Sequence, residues 1–126
     1  MAESVKMQFE VLYRAGTKSF PDQAADLAAA LDGIGAVHQQ WYEPTVRAGS
    51  PPALAQALEI NRTVYGLLRR AVLSFQDAAS AVVLITKDFQ ARDAEARDAM
   101  HALGIKESDI QAPPMAAPPT FGQATS

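Results

Sequence analysis

The chain has 126 residues, enough for one domain, with 20% charged residues and a formal net charge of -3. So mild an acidic balance, without a basic cluster, excludes a phosphate-gripping nucleic-acid surface. The absence of cysteine excludes disulfides, thiolate zinc sites and thiol catalysis.

Taken from its start, the sequence MAESVKMQFE offers no apolar h-region, so no secretory signal peptide is expected. Over residues 5–41, apolar side chains recur at alternating spacings of four and three: Phe9, Tyr13, Phe20, Leu27, Ala30, Ile34, Val37 and Trp41. This is the seam of an amphipathic helix facing a partner. Pro21 falls within it. Either it kinks one long helix, or Ser19 caps a new one; the unbroken register favours a single axis.

The stretch WYEPTVRAGSPPA, residues 41–53, reads as an inter-helix turn centred on about 42–50. Pro44 biases Glu43 away from helix, and Gly49 accepts a positive φ. Ser50 followed by Pro51 has the form of an N-cap and first helical residue.

A second helix is expected over 51–103. The same spacing gives Ala57, Asn61, Val64, Leu68, Ala71, Phe75, Ala78, Val82, Ile85, Phe89, Arg92, Ala96, Ala99 and Leu103, all apolar but Asn61 and Arg92. Asn61 within this seam either sets register or is solvated. Gly104 suits the residue that ends the helix. Its longest weakly polar run, AASAVVLIT at 78–86, is far too short to cross a membrane. Beyond it, the two Pro-Pro pairs of 105–126 predict a flexible tail.

The fold expected is therefore all-α: an antiparallel two-helix hairpin over residues 1–104, followed by a disordered tail. Leu54, Ile60, Leu67, Val72, Val83 and Leu84 lie beside the second seam and widen its apolar stripe. Two helices cannot cover that stripe alone, so pairing with a second hairpin into a four-helix bundle is expected.

Catalytic chemistry finds little support. His38 lies near the turn and His101 near the far end of the second helix, so a shared metal site is not expected. Asp88, Glu95 and Asp98 alternate with Arg92 and Arg97, as on a solvated helix face. Tyr42 and Tyr65 are assigned packing. On spacing alone, Phe89 is a core ring and Trp41 an end plug. No enzyme activity, metal or cofactor is expected.

One pattern adds a resemblance. KDFQARDAEARDAM, residues 87–100, presents Phe89, Asp93, Ala96 and Met100 in the order aromatic, acid, small apolar, large apolar. With Trp41 about one helix length upstream, this resembles the WXG family of ESX, or type VII, secretion substrates of actinobacteria and their relatives. The likeness covers residues 1 to about 104. It implies a leaderless helical hairpin, secreted without a cleaved signal peptide after a cytoplasmic stage. Phe89, Asp93, Ala96 and Met100 would form a C-terminal secretion signal on one helix face, read by a type VII secretion ATPase. The implied partner is a second helical hairpin, a different chain more often than a second copy. Two departures stand out: Glu43 occupies the place of the family's turn glycine, and Phe89 that of its usual tyrosine. Hairpins of the related group that lacks the Trp-X-Gly turn share the signal.

The same architecture suits two other roles. One is a cytosolic helical chaperone or targeting partner of a larger type VII effector. The other is an amphipathic bundle that coats a surface.

Overall fold

The computed structural model describes residues 2–121, and every regular element among them is helical. Helix α1 spans Ala2–Arg14, α2 Phe20–Arg47, α3 Pro52–Arg92 and α4 Ala94–Ala102. Between α1 and α2 the chain stays helical through a π-turn, Ala15–Ser19. A short 3-10 turn, Glu107–Asp109, follows α4.

The π-turn resolves the question posed by Pro21. The Phe20 N–H bonds to the carbonyl of Ala15, five residues back, and Arg14 and Phe20 keep right-handed helical dihedrals. In a plain α-helix the proline ring would press on the carbonyl of Thr17. The wider π-turn relieves that pressure, so Ser19 starts no new helix. A π-turn also holds one extra residue, which shifts the register of everything after it. Phe9 is buried before it and Gly16 within it; after it the buried positions are Pro21, Ala24, Leu31, Gly35 and Thr45. The expected Ala30 and Ile34 thus give way by one residue to Leu31 and Gly35, and Ala30, Val37 and Trp41 are exposed.

The turn also differs from expectation. Trp41, Glu43 and Pro44 lie inside α2, which runs on to Arg47. The Thr45 hydroxyl donates to the Trp41 carbonyl at 2.7 Å, serving the backbone beside the proline. The helix closes with two backbone bonds, Gly49 N to Val46 O at 3.0 Å and Ser50 N to Thr45 O at 2.9 Å. Gly49 takes φ +84°, and Ser50 also has positive φ, at 51°. This is a glycine-centred Schellman cap. Ser50 therefore belongs to the end of α2. The Pro51 carbonyl accepts the first bond of α3, from Ala55 N, and Pro52 is its first residue.

In α3 the expected positions Val64 and Ile85 are 37% and 54% exposed, while Tyr65, Val72, Ala79 and Thr86 are buried. Both choices share Asn61, Leu68, Phe75 and Val82 and differ by one residue at the alternate places. In a helix so rich in apolar residues, spacing alone does not choose between them. Of the residues expected to widen the stripe, Val72 and Val83 are buried, whereas Leu54, Ile60, Leu67 and Leu84 stay exposed.

The contacts divide the chain into two units, each assembled from separated segments: residues 1–23 with 74–116, and 24–73 with 117–126. In the first unit Phe9, Val83, Ala96, Ala99, Met100 and Ile110 form a buried cluster, flanked by Val5, Tyr13, Phe89, Leu103 and Ile105. Phe9 stacks on Tyr13 and tilts against Phe89, with both ring centroids 6.4 Å away. Gly16 allows α3 to approach closely: a Cβ there would meet Val83 Cγ2 at 2.8 Å and the Ala79 carbonyl at 3.2 Å. In the second unit the buried set is sparser, chiefly Ala24, Leu31, Thr45, Tyr65 and Val72. Asn61 is half-buried and donates to the Ile34 carbonyl at 3.2 Å, tying α3 to the backbone of α2.

The segment after Gly104, expected to be flexible, is packed as far as it is described. Gly104 takes φ +72°, and Ile105 N bonds to Met100 O at 3.0 Å, ending α4 with a second Schellman cap. Ile110, 1% exposed, enters the first unit's core. The last positions of the expected tail, 122–126, lie outside the described residues.

Candidate functional site

The residues of the expected secretion signal lie in the first unit, but not on one helix. Asp93 is extended, with φ -118° and ψ 116°, and breaks the long helix into α3 and α4. Its carboxylate accepts from Glu95 N at 2.9 Å and Ala96 N at 3.1 Å, which makes it the N-cap of α4. Arg97 serves the other side of the break, donating from Nε to Gln90 O at 3.3 Å and from Nη2 to Ala91 O at 3.0 Å. Two orphan carbonyls of α3 and two orphan amides of α4 are thus satisfied by side chains. Arg92 pairs with Asp88 at 2.7 Å on the solvent side. Phe89 lies half-buried on α3 against Phe9, while Ala96 (0% exposed) and Met100 (4%) are core residues of α4. The spacing that would align these four on a continuous helix is therefore interrupted at its second member.

Trp41 occupies a different setting, in the second unit. An open apolar groove is lined by Val37, Trp41, Thr45, Leu54, Ala57, Leu58 and Asn61. Trp41 is 54% exposed there, so the indole does not plug the unit's own core. Glu43 and Pro44 are exposed on the same helix and do not line the groove. On α3, Ile60, Val64 and Leu67 carry exposed apolar surface beyond it.

A third arrangement escaped the sequence reading. In the second unit, Pro118 and Pro119 of the tail lie against α3. Tyr65 Oη donates to the Pro119 carbonyl at 2.8 Å, and Arg69 Nε to the Pro118 carbonyl at 3.1 Å. The Phe121 ring meets His38 edge-on at 4.4 Å and Tyr65 at 5.2 Å. The Arg62 guanidinium lies 5.5 Å from its centroid. Burial, then the charge of Asp32, raises the Tyr65 phenol above its ordinary range, with Arg69 opposing. Burial, then the charge of Arg62, lowers the His38 imidazole below its usual value. The only advance signal for this packing was an aromatic residue two positions after a Pro-Pro pair, in Pro118-Pro119-Thr120-Phe121.

No group of His, Cys, Asp or Glu among the described residues is arranged to hold a metal ion. No described helix is long and apolar enough to cross a membrane. No protein-family model matches the chain, and neither a curated protein nor a solved structure does.

Proposed function

We propose that this chain is a non-enzymatic helical pairing protein, exported by type VII (ESX) machinery together with a second helical hairpin. The observation that carries the pairing is the open groove around Trp41, with an indole more than half exposed between Val37 and Leu54. An amphipathic helix laid into such a groove would bury the indole and continue over Ile60, Val64 and Leu67. Two hairpins joined in this way make a four-helix bundle. The export half of the reading rests on the resemblance of Phe89, Asp93, Ala96 and Met100 to the type VII signal.

The structure changes how that signal must be tested. Asp93 caps α4, so Asp93→Ala removes a charge and a cap together, at a cost of about 1 kcal/mol to the helix. Asp93→Asn keeps the cap and removes only the charge. The test compares culture filtrate with lysate for the tagged chain, with the secretion ATPase active and inactivated. ATPase-dependent export, lost in Phe89→Ala and Asp93→Asn while helicity is retained, is the expected result. Retention in the cytosol with the system active overturns export and leaves the chaperone or coat roles. Pairing is read separately, by mass in solution: Trp41→Ala should release the partner hairpin, and undiminished pairing would remove the groove from the interface.

A further inference from the structure

The contacts between the tail and α3 have the chemistry of a receptor for proline-rich peptide. Four prolines occur at 113, 114, 118 and 119, and no regular secondary structure is present from 112 to 120. Each proline fixes its own φ and restricts the residue before it to extended conformations. A chain held in this way leaves its carbonyls free, because a polyproline helix makes no internal hydrogen bonds. The partners at Pro118 and Pro119 answer that need: both are side-chain donors, Arg69 Nε and Tyr65 Oη, aimed at main-chain carbonyls. Tyr65 and Arg69 are one helical turn apart and share a face, and Arg62 is three residues before Tyr65 on the same side. Next to the donors, His38, Tyr65 and Arg62 surround the Phe121 ring. Tyr65 is 1% exposed and Pro118 is buried, so these contacts are not a loose surface association.

We propose that this face of α3, together with His38, is a binding site for proline-rich segments carrying a Pro-Pro-x-aromatic element, and that the chain's own tail occupies it in cis. Recognition falls on carbonyls and one ring, so a segment of the same chemistry on another chain can replace the tail. The tethered tail competes at high effective concentration, so the site is accessible in trans only when cis docking is weakened. This inference is independent of the export reading.

The test uses full-length protein and a labelled synthetic peptide with the sequence of residues 115–121, MAAPPTF. Phe121→Ala loosens the resident tail, and Pro118→Ser/Pro119→Ser loosens it by a second route. Both should bind the peptide about tenfold more tightly than the parent chain does, as release of a tethered competitor requires. Adding Tyr65→Phe should then weaken binding roughly threefold to tenfold, the effect of one hydrogen bond. A peptide with both prolines changed to alanine should bind poorly. Equal binding to parent and loosened chains overturns the proposal, as does indifference to Tyr65→Phe or to the proline replacements.

Discussion

The two units share α2 and α3 but differ in how fully they cover their apolar surface. The first closes its core with its own residues: Phe9, Phe89, Met100 and Ile110 come from four separate stretches of chain and meet in one cluster. The second buries fewer residues, Leu31, Tyr65 and Val72 together with the small or polar Ala24, Gly35 and Thr45, and leaves Val37, Trp41 and Leu54 at an open groove. Residue size accounts for much of the contrast. Three alanines, 28–30, occupy the middle of α2, and alanine promotes helix without supplying much area to bury. One stretch of helix can therefore form readily and still need something else to cover it. Local stability should differ accordingly, since opening follows buried apolar contact.

The sharpest way to break this comparison is to remove one ring from each unit. Phe9→Ala empties a fully buried position between Tyr13 and Phe89, and should cost about 3–5 kcal/mol in urea unfolding. Trp41→Ala, in the isolated chain, should stay within about 0.5 kcal/mol, because the indole has little to lose there. Equal costs would mean that the groove is closed in solution and that the contrast is wrong.

A smaller effect is expected at Gly16. A methyl group there would press on Val83 Cγ2 at 2.8 Å, on Val83 N at 3.1 Å and on the Ala79 carbonyl at 3.2 Å. Two of these atoms belong to the backbone of α3, which cannot rotate away. Overpacking of this kind costs about 1–3 kcal/mol, and alanine recovers up to about 1 kcal/mol of helix propensity. Gly16→Ala should therefore lower stability by about 1–2 kcal/mol. Gly66, with nothing within 4 Å of its Cβ position and no positive φ, is the matched control in the second unit, where alanine should be neutral or stabilising. Opposite signs at the two glycines sharpen the comparison; like signs would undo the close approach at Gly16.

Helical class was legible from composition, from the absence of strand-like alternation and from the 3–4 spacing. Gly49 and Gly104 announced helix ends because glycine reaches positive φ without a side-chain penalty. Register was not legible. Pro21 was visible, but the π-turn that admits it is a tertiary accommodation, and its extra residue moves buried positions by one, from Ala30 and Ile34 to Leu31 and Gly35. The break at Asp93 has a local signal. A carboxylate followed by Ala-Glu-Ala, with Arg92 closing the previous turn, is a helix stop and start. Apolar periodicity running through it masked that signal. Composition alone predicts disorder in the tail; its packing depends on Ile110, whose cluster reaches back to Phe9, and on Phe121, whose ring meets His38 and Tyr65.

The smallest expected effect concerns pH and singles out the second unit. The His38 Nδ1 atom is buried and has no hydrogen-bond partner among the described residues. Protonation would create a charged donor without an acceptor, close to Arg62, so burial and that guanidinium both hold the pKa below 6.5. The folded state thus binds a proton less readily than the unfolded chain. Stability from this residue is fully present above about 6.5, falls as pH drops below it, and stops falling beneath the lowered folded value. The Phe121 ring lies against His38, so its NMR signals should report the loss first, between neutral and mildly acidic pH. Signals of Phe9 and Met100, in the other unit, should hold over the same range. His38→Gln should remove the transition at Phe121. A transition that persists in that variant, or that moves both units together, would assign the pH sensitivity to another group and remove His38 as its cause.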